Sequence, residues 1–144
     1  RNDVYRETDP VFREVAARLQ SDSCASNATL YVWGYSPILY YYTRMSPASR
    51  FVVMPQSGLT AYISGNQKGD LGTIKDKHWD WLMEDLQKND ATYIIDTAPS
   101  GIYRWDRYPI SNYPRLQNLI RSKYRPLVEI DGIYLYRNKN CGKR

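Results

Sequence analysis

The chain has 144 residues, of which 42% are hydrophobic and 24% are charged, and its formal net charge is +5. This length and composition are those of one globular domain, and we treat residues 1–144 as a single unit. No run approaches the roughly 20 apolar residues that cross a bilayer, which excludes a membrane-spanning segment within this sequence. The moderate basic excess favours acidic partners without requiring one.

The first predicted elements are a helix and a buried strand. Asp9 and Pro10 suit the cap and the first position of a helix, and the apolar residues that follow recur on one face of a 3.6-residue period. Residues 30–34 then form a short apolar run that stops at Gly34. Such a run is typical of a strand that is buried on both faces.

A second helix, a second strand and a long loop are predicted next. Ser36 and Pro37 open a helix that runs to about Arg44, again by cap and first-position proline. Residues 50–55 form the second apolar strand. Residues 56–73 contain four glycines and read as a loop, which at this length is uncommon in a compact domain unless it has a function.

The second half of the chain alternates helix and strand and closes on a hairpin signal, Asp131-Gly132. Its predicted elements, in order, are a helix over residues 76–88, a strand over 92–96, an irregular stretch over 99–113, a helix that opens at Pro114, and strands over 124–129 and 133–137.

This order predicts an α/β fold with three layers, α/β/α. The sheet is a short parallel one in the strand order 2-1-3, extended by the C-terminal antiparallel hairpin. We expect residues 30–33 at its centre, with 51–54 on one side and 92–95 on the other.

Catalytic motifs are missing from the sequence. His78 is the only histidine, and it has no nearby Cys or His that could complete a metal site. The turn after the first strand, Gly34-Tyr35-Ser36-Pro37, lacks the glycine pattern of a dinucleotide site, and no G-x-S-x-G elbow occurs. We therefore predict no catalytic residue, no metal, no cofactor and no activity for the chain alone.

The candidate binding residues lie where predicted parallel strands end. Open α/β sheets place their ligands beyond the carboxyl ends of the strands, so the 56–73 and 99–113 stretches are predicted to share one functional face. Rings interleaved with arginines can stack on sugars or bases and hold phosphate, although the same rings could pack against the sheet. The candidates are Asp96, Tyr103, Arg104, Trp105, Arg107 and Tyr108.

Cys24 and Cys141 are the two cysteines of the chain. Their spacing excludes a CxxC metal or redox motif. In an oxidising compartment they could form a disulfide that ties down the C-terminal tail, and two free thiols are the alternative.

Three segments, taken in order, resemble a known family. The segments are residues 30–51, with Tyr-Val-Trp-Gly-Tyr-Ser-Pro followed by Pro47 and Arg50-Phe51, then residues 86–96, and then the hairpin of residues 124–137. Together they are similar to the soluble C-terminal domain of bacterial polytopic glycosyltransferases. These enzymes are of the protein-mannosyltransferase and aminoarabinose-transferase type, in the GT-C superfamily.

The resemblance implies an extracytoplasmic accessory domain, excised from a larger membrane protein that transfers sugar from a polyprenyl-phosphate donor. The catalytic acids of such enzymes lie in the membrane part, so none is carried over to this chain. Its implied partners are the transmembrane part of the same polypeptide, the donor, and an acceptor glycan or protein, with no nucleic acid. The alternatives are a free-standing module that binds a phosphorylated ligand or nucleic acid, and a small hydrolase or transferase.

Overall fold

The structure is a computed structural model that describes residues 2–52, 58–61 and 73–142, with side chains from residue 8 onward. The helices and strands of the described residues follow one another along the chain. They are α1 (Asn2–Gln20), β1 (Thr29–Trp33), α2 (Ile38–Thr43), β2 (Ser46–Pro47), α3 (Asp76–Lys88), β3 (Tyr93–Asp96), α4 (Pro114–Lys123), β4 (Tyr124–Ile130) and β5 (Ile133–Asn138).

The five strands form one mixed sheet in the order β2-β1-β3-β5-β4. β1 pairs in parallel with β2 and β3, and its register against β3 runs from Leu30 opposite Tyr93 to Trp33 opposite Asp96. β5 then pairs antiparallel with both β3 and β4. The predicted α/β class, with a parallel 2-1-3 sheet extended by a C-terminal hairpin, is confirmed.

The alternation of side chains along β1 and β3 divides the core into two layers. Tyr31, Trp33 and Ile94 face the apolar sides of α3 and α4. Leu30 and Val32 face α1 and α2 on the opposite side of the sheet. Because both faces of the parallel strands are covered, these strands read in the sequence as continuous apolar runs.

The first helix begins earlier than predicted, at Asn2, so Pro10 lies inside it and Asp9 is not its cap. An interior proline removes one helical hydrogen bond. Packing outweighs that loss, since Phe12, Val15 and Leu19 are all buried against the sheet.

The second strand is Ser46–Pro47 and not residues 50–55, so that prediction was wrong. Phe51 and Val52 lie outside any strand, and residues 53–57 are outside the described residues. The reason is Arg50, whose backbone N–H donates to Asp85 on α3 at 3.0 Å. The Arg50 guanidinium donates two hydrogen bonds of 2.9 Å to the same carboxylate, and these bonds lower the pKa of Asp85. This contact holds Arg50 against α3.

The predicted 56–73 loop lies mostly outside the described residues. Its described part is anchored to α3, because the Trp79 indole N–H donates to the carbonyl of Leu59 at 3.0 Å. The backbone N–H of Lys75 donates to the carbonyl of Gly58 at 2.7 Å.

A disulfide joins Cys24, in the turn between α1 and β1, to Cys141, in the tail after β5, with their Cα atoms 6.1 Å apart. Asp22 organises the same corner, accepting hydrogen bonds from Arg137 at 2.9 Å and from the hydroxyl of Tyr93. The turn after α1 and the C-terminal tail are thus fastened together. In the ranges described, none of the helices has the length and hydropathy of a membrane span.

Candidate functional site

Asp96 lies where the sheet changes from parallel to antiparallel pairing. It ends β3, opposite Trp33 of β1 on one side and Tyr134 of β5 on the other. Its side chain is buried, and Oδ1 accepts a 3.0 Å hydrogen bond from the backbone N–H of Ala98. Within the described residues no cation forms an ion pair with it. Burial raises the pKa of Asp96 to about 6, so the carboxyl group exchanges a proton near neutral pH.

A cleft of about 670 Å³ opens beside Asp96 on the α4 side of the sheet. Tyr136 lines the same cleft, and burial together with the charge of Asp96 raises the pKa of its hydroxyl. The walls mix apolar and polar groups, as small-molecule sites do. They are formed by Ala98, Pro99, Asp106, Pro109, Ile110, Ser111, Gln117, Ile120, Arg121, Tyr124 and Pro126.

One wall of this cleft is the 98–112 segment, which overlaps the irregular stretch predicted over residues 99–113. It consists of short 3-10 turns over Ala98–Ser100, Ile102–Arg107 and Ile110–Asn112, the second of which is kinked at Tyr103 and Arg104. The turn of the β4–β5 hairpin packs against it so closely that a Cβ on Gly132, whose φ is +84°, would lie 2.7 Å from the Cα of Ser100. The segment is therefore seated on the sheet, consistent with a preformed cleft wall.

Gly34 marks a second close approach at the same edge of the sheet. Its φ is +148°, and a Cβ there would lie 1.9 Å from Oγ1 of Thr97. That hydroxyl donates to the carbonyl of Trp33 at 2.9 Å, which joins the ends of β1 and β3. Packing against Thr97 thus explains the glycine after the first strand, and a phosphate-binding role is not needed to explain it.

The aromatic residues predicted to bind a ligand separate into two groups. Trp105 and Tyr108 are buried, with their rings 4.8 Å apart, and Trp105 packs on Trp33. Their side chains belong to the core, which is the alternative that the sequence left open. Tyr103 is half-buried, and its ring contacts the ring of Tyr35.

Arg104 and Arg107 are exposed on the same segment. Tyr103 and Arg104 both have positive φ, 56° and 61°, a conformation that is uncommon away from glycine and that is found at binding sites. These two residues line a separate groove of about 430 Å³ that also includes Thr8 and Asp131. Asp96 and Arg104 therefore face different depressions, and the predicted site residues remain a prediction.

Several cleft residues were not selected from the sequence. Gln117 and Arg121 are one helical turn apart on α4, and Tyr136 follows Tyr134 at strand spacing on β5. Those spacings were visible in the sequence. Their orientation toward Asp96 depends on β5 inserting beside β3, which no local pattern specifies.

His78 lies in the first turn of α3, half-buried, where its ring stacks on Trp81 at 5.0 Å and contacts Phe51. It does not line the cleft beside Asp96. In the described part of the chain, no group of three or more His, Cys, Asp or Glu side chains is arranged to hold a metal ion.

Comparison with known proteins gives a structural likeness but no match in sequence. No family model matches the chain, and no curated protein matches it. Over 90% of its length it is similar to 97% of the C-terminal globular domain of oligosaccharyltransferase from Archaeoglobus fulgidus, with 10% sequence identity and a TM-score of 0.45. A likeness with this identity and TM-score is too weak to support a conclusion about function. The finer assignment to a bacterial mannosyltransferase-like or aminoarabinose-transferase-like family stays a prediction.

Proposed function

We propose that this chain is a non-catalytic, extracytoplasmic accessory domain of a membrane glycosyltransferase that uses a polyprenyl-phosphate sugar donor. Within it, the cleft beside Asp96 holds a sugar residue of the acceptor or donor while the chemistry takes place in the membrane part of the parent protein. The observation that carries this proposal is the buried Asp96 carboxyl group, which faces a cleft of about 670 Å³ and has no cationic partner among the described residues.

The chemistry of the cleft suits a sugar. Its volume is within the range of small-ligand pockets, roughly 300–1,000 Å³. A carboxylate can accept hydrogen bonds from two sugar hydroxyls, and the ring of Tyr136 offers an apolar surface beside it. Gln117 and Arg121 add donors from α4. A pyranose, with apolar faces and polar edges, matches that combination.

The disulfide supports the extracytoplasmic location. Disulfides persist in oxidising compartments and are rare where glutathione keeps thiols reduced. Cys24 and Cys141 are 117 residues apart, so their bond fastens the tail of the domain to its first turn. A structural role of this kind favours the periplasm or the outer surface of the cell.

The exposed arginines of the 98–112 segment suit the phosphate of the donor. A guanidinium binds two phosphate oxygens at once, and neither Arg104 nor Arg107 forms an ion pair within the described residues. In this proposal the two arginines face the lipid-phosphate group and the Asp96 cleft faces the sugar.

Calorimetric titration of the purified chain tests the sugar site. The ligands are the methyl glycosides of mannose, glucose and N-acetylglucosamine, and the variants are Asp96→Asn and, as a matched control on an exposed helix start, Asp76→Asn. We expect at least one glycoside to bind the native chain and the control equally, and to bind Asp96→Asn about tenfold more weakly, because a charge-assisted hydrogen bond is lost. No binding by the native chain would reject the sugar site.

Attachment to a membrane enzyme is tested separately. The natural gene is read on the 5′ side of the codon for Arg1. The proposal predicts several hydrophobic segments there, each about 20 residues long. A gene that encodes only a cytoplasmic protein would reject the accessory-domain proposal even if the sugar site were real.

A further inference from the structure

One short segment carries three of the four large hydrophobic side chains that are exposed in the described part of the chain. These three residues are Tyr35, Ile38 and Tyr41, which lie within seven residues of one another in the sequence. The fourth exposed residue is Tyr134, on β5. Tyr41 is 76% exposed. Ile38 and Tyr41 lie about one turn apart on α2, and Tyr35 lies in the bend just before that helix; we call these three residues the α2 stripe.

The helix that presents the α2 stripe is firmly held. The neighbouring Tyr40 is buried, and its hydroxyl oxygen accepts a 3.1 Å hydrogen bond from the backbone N–H of Val32. Tyr42 donates its hydroxyl hydrogen to Asp9 of α1, and the Arg13 guanidinium lies 4.3 Å from the centre of the Tyr42 ring. The exposure of the α2 stripe is therefore built into a packed helix pair.

The stretch of chain that carries the α2 stripe contains no acidic residue. The sequence contains no Asp or Glu between Asp22 and Asp70. Arg44 caps the end of α2 with a φ of 59°, is exposed, and forms no ion pair among the described residues. The carboxylate closest to the helix, Asp9, is already paired with Arg13 at 2.9 Å.

The surface continues beyond α2 onto the 98–112 segment. The ring of Tyr103 meets the ring of Tyr35 at 6.1 Å between centroids, and the exposed Arg104 follows directly. Asp131 lines the groove next to Arg104 and is the acidic residue on that side. The α2 stripe thus has an arginine at each end, Arg44 and Arg104.

We propose that the α2 stripe, with Arg44 and Arg104, docks on the surface of an anionic phospholipid bilayer. Tyrosine concentrates at the membrane–water boundary because its ring is apolar and its hydroxyl is polar, and arginine pairs with lipid phosphates. A surface that joins exposed tyrosines to unpaired arginines and lacks free carboxylates along α2 fits a negatively charged interface. This inference stands on the surface alone and goes beyond the proposed glycosyltransferase role.

Co-sedimentation of the chain with lipid vesicles tests this docking. One set of vesicles is phosphatidylcholine, and the other contains about 30% phosphatidylglycerol. We expect binding to the anionic set, weakening as salt is added, and an affinity about tenfold lower in Tyr35→Ser/Ile38→Ser/Tyr41→Ser. Tyr134→Ser is the matched control, because Tyr134 is similarly exposed but lies outside the surface, and it should bind as the native chain does.

Several results would overturn the inference. These are no binding of the native chain to anionic vesicles, undiminished binding by the triple variant, or loss of binding in Tyr134→Ser to the same extent. Self-association of the native chain that the triple variant abolishes, without any vesicle binding, would assign the surface to a second copy instead. If circular dichroism shows the triple variant unfolded, Tyr41→Ser alone replaces it, with about threefold weaker binding expected and equal binding contradicting the proposal.

Discussion

The indole N–H of Trp33 donates a 2.8 Å hydrogen bond to the main-chain carbonyl of Tyr108. This bond fastens the 98–112 segment to the end of β1, from 75 residues away in the sequence. Trp33 is fully buried, and its ring also contacts the rings of Trp79, Trp105 and Tyr113. One side chain thus holds together the sheet, α3 and the wall of the cleft beside Asp96.

Replacing Trp33 by Phe should destabilise the domain by about 2–4 kcal/mol. The substitution leaves the Tyr108 carbonyl unpaired in the core and opens a cavity where the larger ring was. Urea unfolding followed by circular dichroism measures the change. Trp81→Phe is the control, since Trp81 is only partly buried, and a similar loss in both variants would contradict a special role for Trp33.

Asp96 should make stability fall as pH rises between about 4 and 6. The pKa of its carboxyl is about 6 in the folded chain and 3.8 in the reference state, so across this window the folded state holds a proton that the unfolded state has released. The loss of unfolding free energy caused by Asp96 reaches about 2–3 kcal/mol near pH 6 and stays constant above that pH. Asp96→Asn lacks this dependence.

The corresponding measurement compares the unfolding free energies of the native chain and Asp96→Asn at several pH values. Carboxylates whose pKa is lowered, such as Asp85, contribute equally to both proteins and cancel in the difference. The unfolding free energy of Asp96→Asn minus that of the native chain should grow from pH 4 to 6 and then level off. A difference that is the same at every pH would show that Asp96 does not titrate in this range.

Removing the disulfide should cost stability without changing the fold. Cys24 and Cys141 are separated by 117 residues, and closing a loop of that length restricts the unfolded chain by about 3–5 kcal/mol. Cys24→Ser/Cys141→Ser should unfold at lower urea concentration and be insensitive to reductant, whereas the native chain loses stability when reduced. Equal stability of reduced and oxidised native chains would contradict this expectation.

In the membrane glycosyltransferase that we propose as the parent protein, Arg104→Ala/Arg107→Ala should lower sugar transfer while the domain stays folded. Both side chains are exposed, and exposed substitutions usually change stability by less than about 0.5 kcal/mol. The assay is sugar transfer by the intact membrane protein, with thermal unfolding of the isolated chain as the check on folding. Unchanged transfer would leave the two arginines as ordinary surface residues.

The fold was largely predictable because its parallel strands are buried on both faces. The apolar runs at Leu30–Trp33 and Tyr93–Asp96, and the Asp131-Gly132 turn, indicate the sheet through composition alone. The second strand was misplaced because the apolar residues after Arg50 look like a strand. The deciding contact, between Arg50 and Asp85, joins residues 35 apart and leaves no local pattern.

The candidate site was less predictable for the same physical reason. Asp96 was selected from its place at the end of a parallel strand, which is a local signal. Trp105 and Tyr108 looked like binding residues because arginines surround them, and only the packing on Trp33 shows that their rings are core. Tyr136 reaches the cleft through the insertion of β5 beside β3, a long-range pairing.

The central claim, a sugar site beside Asp96, is tested most directly by mapping amide chemical shifts of the ¹⁵N-labelled chain during titration with the methyl glycosides. We expect shifts concentrated at the cleft, at Ala98, Ile110, Gln117 and Tyr136, which need about tenfold more glycoside in Asp96→Asn and are unchanged in Asp76→Asn. No shifts with any of the glycosides, or shifts confined to residues away from the cleft, would contradict it.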